Sequence, residues 1–156
     1  MSDTFAAQID ALAAFPAQLA QQLSQLSDAE LHFRPADGEW SILEIVGHML
    51  DVGALWPGRV RQMLASENPA LAAVDPDWVR QRDYHRKQLA FLLHAMAESR
   101  AEYVEFLRTL RPGQLARPGL HPTRGPITVG ESIAALADHD RIHSQQIAAN
   151  LAAYRA

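Results

Sequence analysis

The chain has 156 residues, of which 48% are apolar and 21% charged. That is material for about one ordinary domain with one real core. Fourteen basic against 18 acidic side chains leave a net charge of −4, and no basic stripe emerges from the charge order, which argues against nucleic-acid binding.

The absence of cysteine rules out disulfides and thiolate metal sites, so any catalytic thiol must come from another molecule. No stretch approaches the length that spans a bilayer. Met1-Ser2-Asp3-Thr4 lacks the basic start and apolar run of a signal peptide. The expectation is one soluble, cytoplasmic domain over residues 1–156. Alanine and leucine dominate while β-branched residues are sparse, which favours helix over strand.

The first predicted helix runs from about Thr4 to Leu26. Phe5, Ile9, Leu12, Leu19, Leu23 and Leu26 recur at helical spacing, and Pro16 is expected to kink it. Ser27-Asp28-Ala29-Glu30 has the form of a capping box, but Arg34-Pro35 limits the following helix to about one turn. A second helix opens at Ser41, with Glu44 three positions on, and carries an apolar stripe from Ile42 to Leu64. Pro57 predicts a bend near Gly53–Trp56.

Asp75-Pro76 reads as an N-cap followed by proline at the first helical position. The third helix is predicted to be continuous from about Asp77 to Leu110, with Trp78, Arg82, His85, Leu89, Leu92 and Met96 stepping mostly by three and four. Arg111-Pro112-Gly113 ends it, and a connector without strands is expected over Arg111–Ile127. Thr128-x-x-Glu131 opens a fourth helix reaching about Tyr154. Four such helices, each with one apolar stripe, predict an all-α four-helix bundle. The connectors are long enough to permit crossovers, so the neighbour order is open.

The fourth helix contains His139-Asp140-Arg141-Ile142-His143. Residues four apart share a helix face, so both imidazoles can reach one ion. His143 lies in a row with Leu136 and Ile147, where an imidazole needs a partner for its nitrogens. A metal ion is one such partner, and hydrogen bonds to neighbouring helices are the other. His48, on the edge of the second helix's stripe, is the third candidate ligand. The alternative for it is a surface histidine paired with Glu44 or Asp51. The acid count and spacing of Glu44-x-x-x-His48 and Asp140-x-x-His143 argue against a di-iron carboxylate centre.

These segments resemble a known family. Gly38 to Asp51, with its Trp40-Ser41-x-x-Glu44-x-x-x-His48 core, is similar to a segment of the DinB-like superfamily. His121 to Thr128, followed by His139-Asp140-x-x-His143-x-x-Gln146-Ile147, is similar to that family's C-terminal half. The resemblance covers nearly the whole chain. It implies a four-helix bundle holding one divalent ion, zinc or nickel, on His48, His139 and His143. It also implies a homodimer, to which the apolar Leu55, Phe91 and Phe106 outside the seams would contribute.

Characterised relatives include transferases and isomerases that use a low-molecular-weight thiol cosubstrate. The expectation for this chain is therefore metal-dependent group transfer from such a thiol to a small-molecule substrate. A metal-dependent hydrolase and a non-catalytic metal-binding or dimeric module are the alternatives. An ion with open positions acts as a Lewis acid toward water or thiol. His85 and Arg82 on the third helix are candidate base and anion clamp. Asp51, Asp138 and Asp140 are candidate partners for the outer nitrogens of the histidines. His121 in the connector either caps a helix or closes the pocket.

Overall fold

The computed structural model describes residues 3–156. Met1 and Ser2, half of the segment read above for a signal peptide, lie outside them. The elements are α1 (Asp3–Leu23), α2 (Asp28–His32), α3 (Ile42–Ala65), α4 (Trp78–Gln81), a 3-10 turn (Tyr84–Arg86), α5 (Leu89–Arg108), α6 (Pro112–Leu115), β1 (Pro118–His121), β2 (Gly125–Thr128) and α7 (Val129–Arg155). The architecture is the predicted four-helix bundle, built from α1, α3, α5 and α7.

Local capping sets the helix starts. Ser41 Oγ accepts from the Glu44 amide at 3.3 Å, and Glu44 Oε1 accepts from the Ser41 amide at 3.3 Å. Thr128 and Glu131 do the same at 3.1 and 2.8 Å, as do Ser27 and Glu30. Each reciprocal pair satisfies two otherwise orphaned amides. Both α1 and α3 run on through their internal prolines, Pro16 and Pro57.

The neighbour order is not a simple up-and-down succession. α1 packs on α5 and α7, and α3 packs on α5 and α7, so α1 and α3 stand diagonally across the bundle. The long connection from α3 to α5 permits that crossover.

Two expectations need correction. The third helix is not continuous over 77–110. Asp83 adopts a left-handed conformation (φ 52°), which ends α4 and starts the 3-10 turn before α5. Tertiary contacts hold this break. The Tyr84 ring lies against Gly47 of α3, where any Cβ would come within 2.2 Å of it, and the Tyr84 hydroxyl donates to Asp51 at 2.6 Å. Asp75 caps this region through its side chain, which accepts from the Asp77 amide at 2.9 Å, but the helix begins only at Trp78.

The connector over 111–127 is not structureless either. It holds α6 and the antiparallel hairpin β1–β2, with Leu120 paired to Pro126 and Gly125 in a left-handed conformation at the turn (φ 74°). The Leu71 amide donates to the Leu120 carbonyl of this hairpin at 2.9 Å, and the Leu120 amide donates to the Pro69 carbonyl at 2.8 Å.

The core falls into two apolar clusters. One is built around Met63, Tyr103, Leu107 and Leu136, the other around Leu23, Ile42, Met96 and Ile147. On every long helix the change of cluster is marked by a step: Leu12 to Phe15, Met49 to Val52, Met96 to Tyr103, Leu136 to Ile147. The buried polar groups Asp51, Arg100 and Asp140, together with three histidines, occupy that level. Phe91 is exposed, whereas Leu55 is half-buried and Phe106 packs on the core beneath Arg61. No helix among the described residues is long and apolar enough to cross a membrane.

Candidate metal centre

α3 and α7 face each other across the bundle, and between them His48, His139 and His143 converge. One ring nitrogen from each lies within 4.8 Å of the other two. His48 Nε2 and His139 Nε2 are 3.1 Å apart, and the ring centroids stand 4.3–5.1 Å from one another. The four-residue step on α7 puts two of the rings on one face. The Ser41 cap fixes where α3 begins, and His48 follows seven residues on, facing α7.

The surroundings disfavour charge on these rings. Burial, aided by the neighbouring His143, pulls His48 down to about 4. Burial also pulls His139 down to about 3 and lowers His143. All three are therefore neutral at pH 7, the form that donates a lone pair to a metal. His143 Nδ1 lies 2.7 Å from Gln146 Oε1. Because a carbonyl oxygen only accepts, His143 carries its proton on Nδ1 and leaves Nε2 free. His139 Nδ1 is buried without a hydrogen-bond partner among the described residues. Trp40 packs on the His48 ring at 4.8 Å, and the Trp40 carbonyl is tied to α7 by Asn150 Nδ2 at 2.8 Å.

The histidines open into a cleft of about 310 Å³. Its remaining wall comes from α3 (Val52, Trp56, Arg59), from residues 73–74 and from the hairpin turn (His121 to Arg124). α3 and the connector thus contribute to the cleft, but α5 does not. Among the described residues this wall contains no Asp or Glu.

The other candidates lie elsewhere. His85 is on the 3-10 turn, 3.0 Å from Ser41 Oγ and 3.5 Å from Glu44 Oε1, in a separate cleft with Arg34. Arg82 binds Asp51 and stacks on Trp78 at 4.6 Å. Breaking the third helix turned both away from the histidines. The three aspartates are occupied too. Asp51 takes Tyr84 and Arg82. Asp138 takes Arg141 at 2.6 Å. Asp140 takes a two-bond grip from Arg100 at 2.7 and 3.0 Å.

Sequence reasoning assigned no role to Gln146, although it stands one turn after His143, where a helix places side chains in contact. It also missed Arg59, which is 59 − 48 = 11 positions, about three turns, beyond His48 on the same helix.

The model of the DinB superfamily matches residues 11–147. YfiT of Bacillus subtilis, whose name proposes a metal-dependent hydrolase, is 27% identical over 141 residues, covering 89% of this chain and 79% of its own length. A protein of Oceanobacillus iheyensis with the same proposed activity is 24% identical over 85% of this chain and 77% of its own length. The solved structure of YfiT, described as an unusual four-helix bundle topology, superposes with a TM-score of 0.89 at 25% identity, covering 96% of this chain and 87% of that one. A mycothiol-dependent maleylpyruvate isomerase shares the fold at a TM-score of 0.73 and 13% identity, over 92% of this chain and 60% of its own.

Proposed function

We propose that this chain, which belongs to the DinB superfamily, is an enzyme that holds one divalent metal ion on His48, His139 and His143 and acts on a small molecule. The observation that carries this reading is the convergence of three neutral, half-buried imidazoles at the edge of an open cleft. The donor set fits a metal. Two Nε2 atoms lie 3.1 Å apart, one nitrogen of each ring is within 4.8 Å of the other two, and Gln146 leaves the third ring's Nε2 as an acceptor. Zinc and nickel both accept imidazole ligands. When bound, such an ion supplies Lewis acidity that favours the ionised form of a thiol or water.

Within this reading, group transfer from a low-molecular-weight thiol is favoured. The chain has no cysteine, and the cleft wall offers no carboxylate to serve as a base among the described residues. A thiol would need the least help from a protein base, because a bound divalent cation would itself favour its ionised form. The chain's own residues then bind and orient. Trp40 and Gln146 fix two of the rings, and Trp56 with the hairpin turn shields one side of the cleft from water. Hydrolysis is the second reading, supported by the activity that the names of the Bacillus and Oceanobacillus relatives propose.

The test is a comparison of metal-stripped, zinc-loaded and nickel-loaded protein in thiol-conjugation and ester-hydrolysis screens, with His143→Ala as control. Metal-dependent turnover lost in His143→Ala supports the enzyme reading. Metal uptake without turnover in either screen leaves a metal-binding module. We further propose a cytoplasmic homodimer using the exposed Phe91 face. Light scattering that shows only monomer at micromolar concentration overturns the dimer.

A further inference from the structure

One wall of the same cleft has more hydrogen-bond donors than the chain can satisfy. Arg59 is 4% exposed and has no carboxylate partner among the described residues. Its Nε donates to the Ala72 carbonyl at 2.9 Å, and Nη2 donates to the same oxygen. Its Nη1 instead faces His121 Nε2 at 3.5 Å.

The state of His121 decides what that approach is. His121 Nδ1 receives the backbone amides of Thr123 and Arg124 at 3.2 and 3.1 Å. A nitrogen that accepts two amide protons carries none of its own, so the proton of the neutral ring is on Nε2. Burial and the charges of Arg59 and Arg124 keep this ring neutral by lowering its pKa. Arg59 Nη1 and His121 Nε2 are therefore two donors facing one another at 3.5 Å, with no acceptor between them among the described residues. The Trp56 ring holds both, stacked on His121 at 5.8 Å and beneath Arg59 at 4.5 Å.

Charge points the same way. The protein carries −4 overall, yet this cleft has Arg59 and Arg124 on its wall and no acid among the described residues. Arg124 stands exposed at the hairpin turn, and its field also lowers His139. A buried guanidinium without a counter-charge is costly, and an anionic oxygen between the two donors would relieve both the charge and the unmet bonds.

We propose that Arg59 Nη1 and His121 Nε2, with the Arg124 guanidinium at the mouth, form a subsite for a carboxylate group carried on an apolar body. Two donors facing one another at 3.5 Å match one carboxylate oxygen that bridges them, with the other oxygen toward Arg124. A phosphate would bring three oxygens to a wall built for fewer. The apolar body fits Val52, Trp56 and Val74. That the ligand is the substrate rests on the enzyme reading above; that it binds does not.

The test uses metal-free protein at constant ionic strength, titrated with benzoate, benzamide and phenyl phosphate and followed by NMR of the His121 ring nitrogens. Before any ligand, the ring should show its proton on Nε2. Benzoate should then saturate, with benzamide at least tenfold weaker. His121→Phe keeps an aromatic ring beside Trp56 and should weaken benzoate about tenfold while erasing its advantage over benzamide, the size expected for one hydrogen bond to a charged group. Arg124→Ala at the exposed turn should weaken benzoate severalfold without altering the fold. A proton on Nδ1, equal binding of benzoate and benzamide, a benzoate affinity unchanged in His121→Phe, or phenyl phosphate binding in preference to benzoate each overturns the proposal. Zinc uptake by the three histidines is measured separately, so a failure of the metal reading leaves the benzoate result standing.

Discussion

Arg100–Asp140 and the three histidines occupy the same polar level between the two apolar clusters, and they meet at adjacent residues, His139 and Asp140. The first is closed. Arg100 grips both oxygens of Asp140 and donates to the Leu12 carbonyl at 3.1 Å, and both side chains are about 95% buried. The second is open. His139 Nδ1 has no partner among the described residues, and two imidazole Nε2 atoms face each other. One cluster ties α1, α5 and α7 together with its charges paired, whereas the other leaves a buried ring nitrogen unpartnered among the described residues, beside a cleft. A buried polar cluster that serves only the fold is expected to satisfy itself; the histidines do not.

The largest expected effect comes from breaking the closed cluster. Arg100→Met leaves Asp140 buried and unpaired, and should cost about 3–5 kcal/mol in denaturant unfolding of the metal-free protein. The paired replacement Arg100→Met with Asp140→Leu should recover most of that loss. A single-variant cost below about 1 kcal/mol would remove the distinction drawn between the two clusters.

The open cluster should respond to metal in the opposite way. Zinc at 100 times its Kd should stabilise the wild type by about 2.7 kcal/mol. In His143→Ala that gain should vanish while circular dichroism still reports the helices, because the bundle core is apolar. Equal zinc stabilisation in wild type and His143→Ala would falsify the assignment.

Gln146→Ala tests the orienting hydrogen bond. It should weaken zinc binding about 10–100-fold, the usual cost of losing a partner of a metal-bound imidazole, while leaving metal-free stability near wild type. Zinc affinity equal to wild type would show that Gln146 does not set the His143 ring.

Acid separates the clusters by sign. The pKa values of His48 and His139 lie at about 4 and about 3 in the fold, below the ordinary histidine value of 6.5. The unfolded chain therefore binds more protons between those values. The stability of the metal-free protein should be fully present above pH 6.5 and fall progressively as the pH drops toward 4 and 3. His139→Leu should flatten that fall, and urea midpoints at pH 7.5, 6 and 5 measure it. The smallest effect is expected from His85→Ala, whose side chain lies in the other cleft. Zinc affinity should be unchanged within error, and a tenfold loss would place His85 at the metal after all.

Much of this architecture was legible from local signals. Ser41–Glu44 and Thr128–Glu131 mark helix starts because capping is a short-range hydrogen-bond pattern, and the leucine and isoleucine periodicity of α1, α3 and α7 reads directly as buried faces. The His139–His143 step is legible for the same reason, since helix geometry alone sets the separation of residues four apart. His48 lies on another helix, so its place on the edge of that helix's stripe made it only a candidate, and the likeness of its segment to the DinB family joined it to the other two.

What tertiary structure decided lies wherever two distant segments settle the outcome together. The sequence Arg82-Asp83-Tyr84-His85 fits a helical seam, yet Tyr84 gains more by lying on Gly47 and bonding Asp51 than by continuing the helix, and that break carries His85 and Arg82 away from the cleft. The hairpin Pro118–Thr128 has only four-residue strands, too short for an alternating pattern to show, and its Leu120 pairs with Ala70 from another connector. Arg59 and His121 are 62 residues apart in the chain, and no spacing rule links them. Sequence by itself determined the capped helix starts, the helical faces of α1, α3 and α7 and the pairing of His139 with His143, because those depend on neighbours within a few residues. The third histidine's place, the diagonal helix order and the cationic wall depend on packing between segments far apart, which only the folded chain brings together.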